Sequence, residues 1–287
     1  MKKSIIPIYL GLVMVCAVPN LIAQEFKQHL SKEFSLSKAK NNILYIYNLN
    51  GSIKVEGYDG NKVLIEMDER ISAEDLTKLE TGKKEFRMGF DQRGDTVMVY
   101  IAAPYDSRPH RNWHYNDDRE EIEYNYNVEF TVKVPFSMNL HISTVNDGVI
   151  LVNNVTGIIH VNNVNGEISI KNANNTTYAH TVNGDVNVNY TGNPIEESSY
   201  YTINGDIHIS YQPDLSADLQ FKSMHGDFYT DFPGAALLPP SVTIKQEKKD
   251  GSIVYKLNAY TTVRFGKGGR NFKFETLNGN VYIKKQS

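Results

Sequence analysis

Four acids occupy the same slot of a recurring phrase: Glu167, Asp185, Asp206 and Asp227 each follow a glycine. Carboxylates repeated at one slot hold a cation or raise one another's pKa when they are close together. When they are kept apart, each caps its own turn through backbone hydrogen bonds. Asp185, Asp206 and Asp227 are therefore the candidate calcium ligands, with turn capping as the competing role. The glycine-rich nonapeptide GGxGxDxUx of calcium-binding β-rolls is absent.

A second group of side chains lies in residues 104–123, PYDSRPHRNWHYNDDREEIE. His110 and His114 are four apart and would share a helix face suited to a metal, with Asp117, Asp118 and Glu120 nearby. Pro109 and the polarity of the segment argue against a helix, and no HExxH pattern is present. The segment also carries Tyr105, Arg111, Trp113, His114 and Tyr115, and Trp113 is the only tryptophan. Aromatics beside charges on a surface loop are what recognition surfaces use. These five residues form the candidate recognition loop, and its expected partner is a protein or a glycan.

Enzyme signatures are sparse. Gly266-Lys267-Gly268-Gly269-Arg270 lacks the G-x-x-x-x-G-K-[ST] order of a phosphate cradle and leads into the strand-like FKFETLNG, so a corner is expected. No GxSxG motif occurs. No catalytic residue and no cofactor is predicted. The acidic column keeps one enzymatic alternative in view, a β-helix protein acting on polysaccharides.

These side chains are carried by an internal repeat. It reads TVNGDVNV at 181–188, TINGDIHI at 202–209, SMHGDFYT at 223–230 and TLNGNVYI at 276–283. Aligned on Gly51, Gly157, Gly166, Gly184, Gly205, Gly226 and Gly279, with TVNDGVIL at 144–151 aligned on Asp147, the copies share apolar residues two before, two after and, save for Thr230, four after the anchor. Alternate residues of a strand face one side, so these positions define a buried face, and the residues between them, His160 and His208 included, face solvent. Anchors nine or ten residues apart span one strand and a corner, and those 18 to 21 apart span two. That spacing predicts a parallel β-solenoid or β-roll with two sheets. The rival is an antiparallel meander, because Asn-Gly is also a strong hairpin signal. Six residues after the anchor stand Asn153, Asn163 and Asn172, then Tyr190, Tyr211 and Phe232, expected to form amide ladders and ring stacks between neighbouring coils.

The repeats NG[DE][IV]x[IV], the entry segment NLNGSIKVEGYDGNKVLIE at 48–66 and the closing FGKGGRNFKFETLNGNVYIKK at 265–285 resemble the DUF4097 family and are similar to the related head-GIN adhesin-like families. The resemblance covers most of the chain after its leader. It implies an exported β-solenoid with an adhesin label and defines no catalytic residue.

Residues 1–23 read as a secretory signal peptide: Lys2 and Lys3, an apolar run from Ile5 to Ala17, and cleavage after Ala23. The run is short for a membrane anchor and is interrupted by Pro7 and Pro19, so an integral membrane protein is not expected. Val15 before Cys16 argues against lipidation, and cleavage removes the only cysteine, leaving no disulfide. Cleavage also takes two of the 30 basic residues, against 33 acidic ones, and no long basic stretch occurs, which argues against nucleic acid. The expected location is periplasmic, outer-surface or secreted. Residues 24–287 are expected to form one domain, with an irregular part at 24–140, a regular core at 141–232 and a closing hairpin and capping repeat at 241–287. A helix of two turns is expected from Leu76 to Glu80, started by Ser72-Ala73-Glu74-Asp75. The expected function is a non-catalytic adhesin or cell-envelope binding scaffold, and an envelope-stress accessory protein is a further alternative.

Overall fold

The computed structural model describes residues 24–36, 42–109, 121–239, 241–249 and 252–286, and describes side chains within these ranges except at 241–249 and 252–259. The leader at 1–23 lies outside the described residues. So do His110, Arg111, Trp113, His114, Tyr115, Asp117, Asp118 and Glu120.

The chain begins with β1 (Gln24–Ser35), β2 (Ile43–Tyr47), β3 (Ile53–Tyr58) and β4 (Lys62–Ala73). Helix α1 (Leu76–Glu85) leads to β5 (Arg87–Arg93), β6 (Thr96–Ala103) and β7 (Tyr124–Pro135). Short strands follow: β8 (Asn139–Ser143), β9 (Ile150–Asn153), β10 (Ile159–Asn162), β11 (Ile168–Ala173), β12 (Thr177–His180) and β13 (Val186–Tyr190). The series continues through β14 (Ser198–Tyr201), β15 (Ile207–Tyr211), β16 (Ala217–His225) and β17 (Phe228–Thr230). The chain closes with β18 (Ala236–Leu237), β19 (Ser241–Lys249), β20 (Ser252–Phe265), β21 (Arg270–Asn278) and β22 (Val281–Lys285).

The protein is all-β, with two large, mostly parallel sheets. One is ten-stranded, in the order β1-β4-β7-β3-β9-β11-β13-β15-β22-β17. The other is twelve-stranded, in the order β18-β20-β16-β21-β14-β12-β10-β8-β2-β6-β5, with β19 paired to β20. From β8 to β17 successive strands alternate between the sheets, and each pairs in parallel with the strand of a neighbouring copy. The Asn-Gly steps are therefore corners between sheets rather than hairpin turns. Antiparallel pairing appears at the ends: β1 on β4, β4 on β7 and β5 on β6 at one, and β20 on β16, β18 and β19 at the other.

The core lies between the sheets. Ile53, Ile150, Ile168, Val186, Ile207 and Val281 stand in register across adjacent strands and are all essentially inaccessible. Burying each such side chain contributes roughly 1.5–3 kcal/mol. Where the twelve-stranded sheet presents the small residues Thr177, Ala179 and Ser198, the buried rings of Tyr190, Tyr200 and Tyr211 fill the interior. Their hydroxyls meet there, with Tyr190 to Tyr200 at 2.7 Å and Tyr211 to Tyr200 at 3.2 Å.

Four sequence expectations need correction. Gly148, rather than Asp147, stacks against Gly51 and Gly166, and Ile150 and Val152, rather than Val149 and Leu151, face inward. Asp147 is an inserted residue, and its positive φ of 54° accommodates it at the corner. Of the apolar column two before the anchor, only Val155 is fully buried. Leu49, Val145, Val164, Val182 and Ile203 are half-buried on the corner, and exposure rises to 39 % at Leu277 and 72 % at Met224. The helix runs to Glu85, five residues past Glu80. Asp75 caps it by accepting from the Lys78 N–H at 2.9 Å, and it continues because Leu79 and Gly82 are buried, with Gly82 close against Tyr124 and Ile71. Finally, of the expected polar columns only Tyr190–Tyr211 stacks as drawn, at 5.2 Å. Phe232 meets Phe265 edge-on, Asn163 donates to the Gly148 carbonyl, and Asn172 pairs with Asn154.

The amide ladder forms one residue before the anchor glycine. Asn278 donates to Asn204, Asn204 to Asn183, Asn183 to Asn165, Asn165 to Asn146 and Asn146 to Asn50, at 2.7 to 3.2 Å. Inside the same corner Thr144, Thr181, Thr202 and Thr276 donate to the glycine carbonyl of the neighbouring copy. These two rows account for the Thr and Asn of the repeated T-x-N-G.

Candidate functional site

The alternation that buries one face of a strand exposes the other. On the outer face of the twelve-stranded sheet this places Tyr45, His141, His160 and Tyr178 in a single row across β2, β8, β10 and β12. Their ring centroids are 4.8, 4.3 and 4.3 Å apart, at interplanar angles of 8–26°. Because each ring stacks on the next, the ring faces are mutually covered. The edges, carrying phenol and imidazole groups, point away from the sheet. A second row runs beside it through Tyr100, Tyr47, Ser143, Asn162, His180 and Tyr201. His180 Nε2 lies 2.9 Å from Ser199 Oγ.

Burial keeps these imidazoles uncharged. His160 is pushed down to about 4, first by desolvation and then by neighbouring His141 and His180. Desolvation also lowers His141 and His180. A neutral imidazole offers one hydrogen-bond donor and one acceptor. The row is thus a set of uncharged hydrogen-bonding edges repeated at the strand separation of about 4.8 Å.

The first row continues past Tyr45 to Met98 of β6 and Asp91 of β5, where the surface deepens into a pocket of about 440 Å³. Tyr47, Asp91, Arg93, Thr96, Met98, Arg108 and Pro109 line it. Arg108 is held in place: its guanidinium lies 4.0 Å from the Tyr100 ring centre and forms a fork with Asp106 at 3.0 and 2.6 Å. Ser107 Oγ donates to the Tyr47 carbonyl at 2.7 Å and accepts from the Ile101 N–H at 2.9 Å, which ties the segment after β6 to the sheet. A shorter row, His208, Tyr282 and Tyr229, stacks at 4.6 and 5.0 Å on the outer face of the ten-stranded sheet.

Of the acids flagged by the repeat, Glu167, Asp185 and Asp206 precede the neighbouring strands β11, β13 and β15, and Asp227 stands apart from them. Asp185 Oδ1 accepts from the Asp206 N–H at 2.8 Å, and Asp206 Oδ1 accepts from the Asn280 N–H at 2.7 Å. Asn280 Oδ1 in turn accepts from the Asp227 N–H at 3.0 Å. Asp227 is thus separated from Asp206 by Asn280, and the run of three carboxylates is broken because β22 enters between β15 and β17. The carboxylates that accept in this row, Asp185 and Asp206, each cap the copy next to their own, and Glu167 accepts from the side chain of Asn187. Among the described residues no group of three or more His, Cys, Asp or Glu side chains has metal-holding geometry. The Gly266–Arg270 segment is a corner: Gly268 N–H bonds to the Phe265 carbonyl, and Lys267 N–H to Ser216 Oγ. Of the candidate recognition loop only Tyr105 is among the described residues, half-buried beyond β6.

Reading the repeat from its glycines left the aromatic row out of view, because β2, β8 and β12 carry no Asn-Gly anchor of their own. The available signal is the alternation LYIY at 44–47, LHIS at 140–143, IHVN at 159–162 and TYAH at 177–180, where an aromatic or His stands between inward residues.

The fold and this face define a two-sheet, mostly parallel β protein with ring-bearing outer surfaces. No family model matches the chain, and no curated protein matches it. Among solved structures it is similar to a "putative cell adhesion protein" from Clostridium sporogenes, with TM-score 0.34 and 10% identity over 91% of this chain and 100% of that one. It is also similar to a "putative lipid binding protein" from Parabacteroides distasonis (TM-score 0.31, 10% identity, 90% and 97% covered). A third is a "putative adhesin" from Bacteroides fragilis (TM-score 0.28, 11% identity, 90% and 97% covered). At these scores the likeness carries no functional argument.

Proposed function

We propose that the chain is an exported, non-catalytic binding scaffold: a parallel β-solenoid of the DUF4097 kind whose flat outer faces hold a protein or glycan at the cell envelope. The observation that carries this reading is the row Tyr45–His141–His160–Tyr178, four polar ring edges held at strand pitch on a hydrogen-bonded sheet. A rigid display of this kind loses little entropy when a ligand binds. Stacked parallel strands supply an extended surface of the type that repeat proteins use for binding.

The test compares the chain from Gln24 onward with the triple variant Tyr45→Ser, His160→Ser, Tyr178→Ser. Both are applied to immobilised mucin, peptidoglycan, matrix proteins and a glycan array. The scaffold reading expects a ligand that the parent retains and the variant loses at unchanged melting temperature. Polysaccharide cleavage that survives purification and disappears in Asp206→Asn would replace it with the enzymatic alternative. Export is checked separately: N-terminal sequencing of the protein recovered from its native envelope should begin at Gln24.

A further inference from the structure

The pocket and the stacked row share one line. Asp91 pairs with Met98, Met98 with Tyr45, Tyr45 with His141, His141 with His160, and His160 with Tyr178, strand to strand. A ligand lying along this line runs across the strands and meets a hydrogen-bonding ring edge at every step.

Three features narrow its chemistry. The ring faces are covered by one another, so little apolar surface remains for a protein partner to desolvate, and protein hot spots depend on such burial. For the same reason bases have no ring face between neighbours on which to stack, and the cations of the line are confined to Arg93 and Arg108 at its pocket end, so the row itself lacks the usual means of holding single-stranded nucleic acid. What remains is a comb of uncharged donors and acceptors at constant pitch, matched by a polymer rich in hydroxyl groups with a similar repeat. An extended β-1,4-linked glycan advances by about 5 Å per monosaccharide, near the separation of strands, and successive sugars are turned over so that each step presents one of the two hydroxyl-bearing edges. An α-1,4-linked chain coils and turns its hydroxyls away from a straight row.

We infer that the line from Asp91 to Tyr178 is a glycan subsite row: an extended β-1,4-linked polysaccharide lies across the strands, one sugar to each of Tyr45, His141, His160 and Tyr178, with its end in the pocket beside Tyr47, Met98, Arg93 and Arg108. The inference rests on the binding-scaffold reading and adds the ligand class and its direction. The pocket volume lies within the usual range for small-ligand sites, enough for a terminal sugar unit. Arg108 is already oriented by Asp106 and Tyr100, so it meets a ligand without reorganisation.

Calorimetric titration of the chain from Gln24 onward with cello-, chito- and malto-oligosaccharides of rising length tests this. The expected result is affinity that climbs with each β-1,4-linked sugar until the row and pocket are filled, then levels off, with the malto series at least about tenfold weaker. His160→Ala should weaken the longer oligomers about fivefold, the loss of one hydrogen bond, while a disaccharide in the pocket is unaffected. His160→Asn, which keeps a donor and an acceptor, should recover part of that loss, and melting curves confirm that each variant is folded. Affinity independent of length, or equal for the malto series, overturns the inference. A photo-crosslinking residue at position 160 separates the two readings in the native envelope. Crosslinks to protein without glycan binding overturn the glycan assignment and leave the scaffold standing. Neither crosslinks nor glycan binding removes both.

Discussion

A methyl group on Gly205 would lie 2.2 Å from the carbonyl oxygen of Gly184, and one on Gly279 would lie 1.9 Å from that of Gly205. These glycines recur because successive corners are stacked backbone against backbone, and a side chain would push whole strands apart. Gly205→Ala is expected to lower stability by about 2–4 kcal/mol, read as a fall in the urea midpoint. The aromatic row makes a different residue-level prediction. His160 has a folded-state pKa of about 4, below the unfolded value of about 6.5. Between those limits the unfolded chain binds the extra proton, so the stability associated with this ring is intact above pH 6.5 and is lost as pH falls towards 4. The ring is half in water, which limits the loss to about 1 kcal/mol. Asp68, and then Glu66, raise the pKa of His29, whose contribution runs the other way and fades as pH rises through its folded value. The useful measurement is therefore the parent minus His160→Phe difference in melting temperature, which should shrink steadily from pH 6.5 to 4. A pH-independent difference would remove the desolvated-imidazole account.

At the scale of the element, each corner has an outer and an inner row that look alike in sequence but differ in energetics. The Asn ladder is exposed, so Asn183→Ala leaves Asn165 and Asn204 free to bond water and is expected to lose about 1 kcal/mol or less. Thr202 is fully buried and satisfies the Gly184 carbonyl, so the near-isosteric Thr202→Val strands an acceptor away from water and is expected to lose about 1–3 kcal/mol. Chemical denaturation of the two variants checks the order, and an Asn183→Ala loss larger than that of Thr202→Val would contradict it. The inward Ile168, Val186 and Ile207 were legible as a local pattern read at period two, whereas parallel strands joined by Asn-Gly corners were favoured over hairpins only by the spacing of the anchors. The helix start was also legible, but its end was not, since packing of Gly82 against Tyr124 is a contact between distant segments. The aromatic row was hidden for a related reason. His141, His160 and Tyr178 line up only once the parallel register is known, and that register is set by the copies' cores rather than by the rings themselves.

Over the whole molecule, spatial order departs from chain order at both ends. The pair β2–β3 lies between β6–β7 and β8–β9, and the last pair, β21–β22, lies between β14–β15 and β16–β17. No local pattern encodes which copy stacks on which, since most copies offer the same Thr, Asn, Gly and inward aliphatics, and this also explains why Asp227 was expected beside Asp206. The arrangement has a consequence for assembly. Among the described residues, 270–285 supply the strand pairing in both sheets between the stack ending at β14–β15 and the copy β16–β17: β21 pairs with β14 and β16, and β22 with β15 and β17. Long-range pairings of this kind raise contact order and slow folding. Removing residues 270–287 should therefore do more than shorten the protein by one copy. It leaves β14, β15 and β16 each unpaired on one edge, β17 without the strand it pairs with, and the rings of Tyr200 and Tyr211 without Phe274 and Phe272 stacked on them. The chain ending at 269 is expected to lose its cooperative thermal transition. By contrast, the chain lacking 24–36 removes a strand paired only with β4 and should keep a cooperative transition at a lower melting temperature. Calorimetry on the two truncations decides the matter. A cooperative melt retained in the first would mean that β16–β17 can dock directly on β14–β15, and that the inserted closing pair is not what completes the stack.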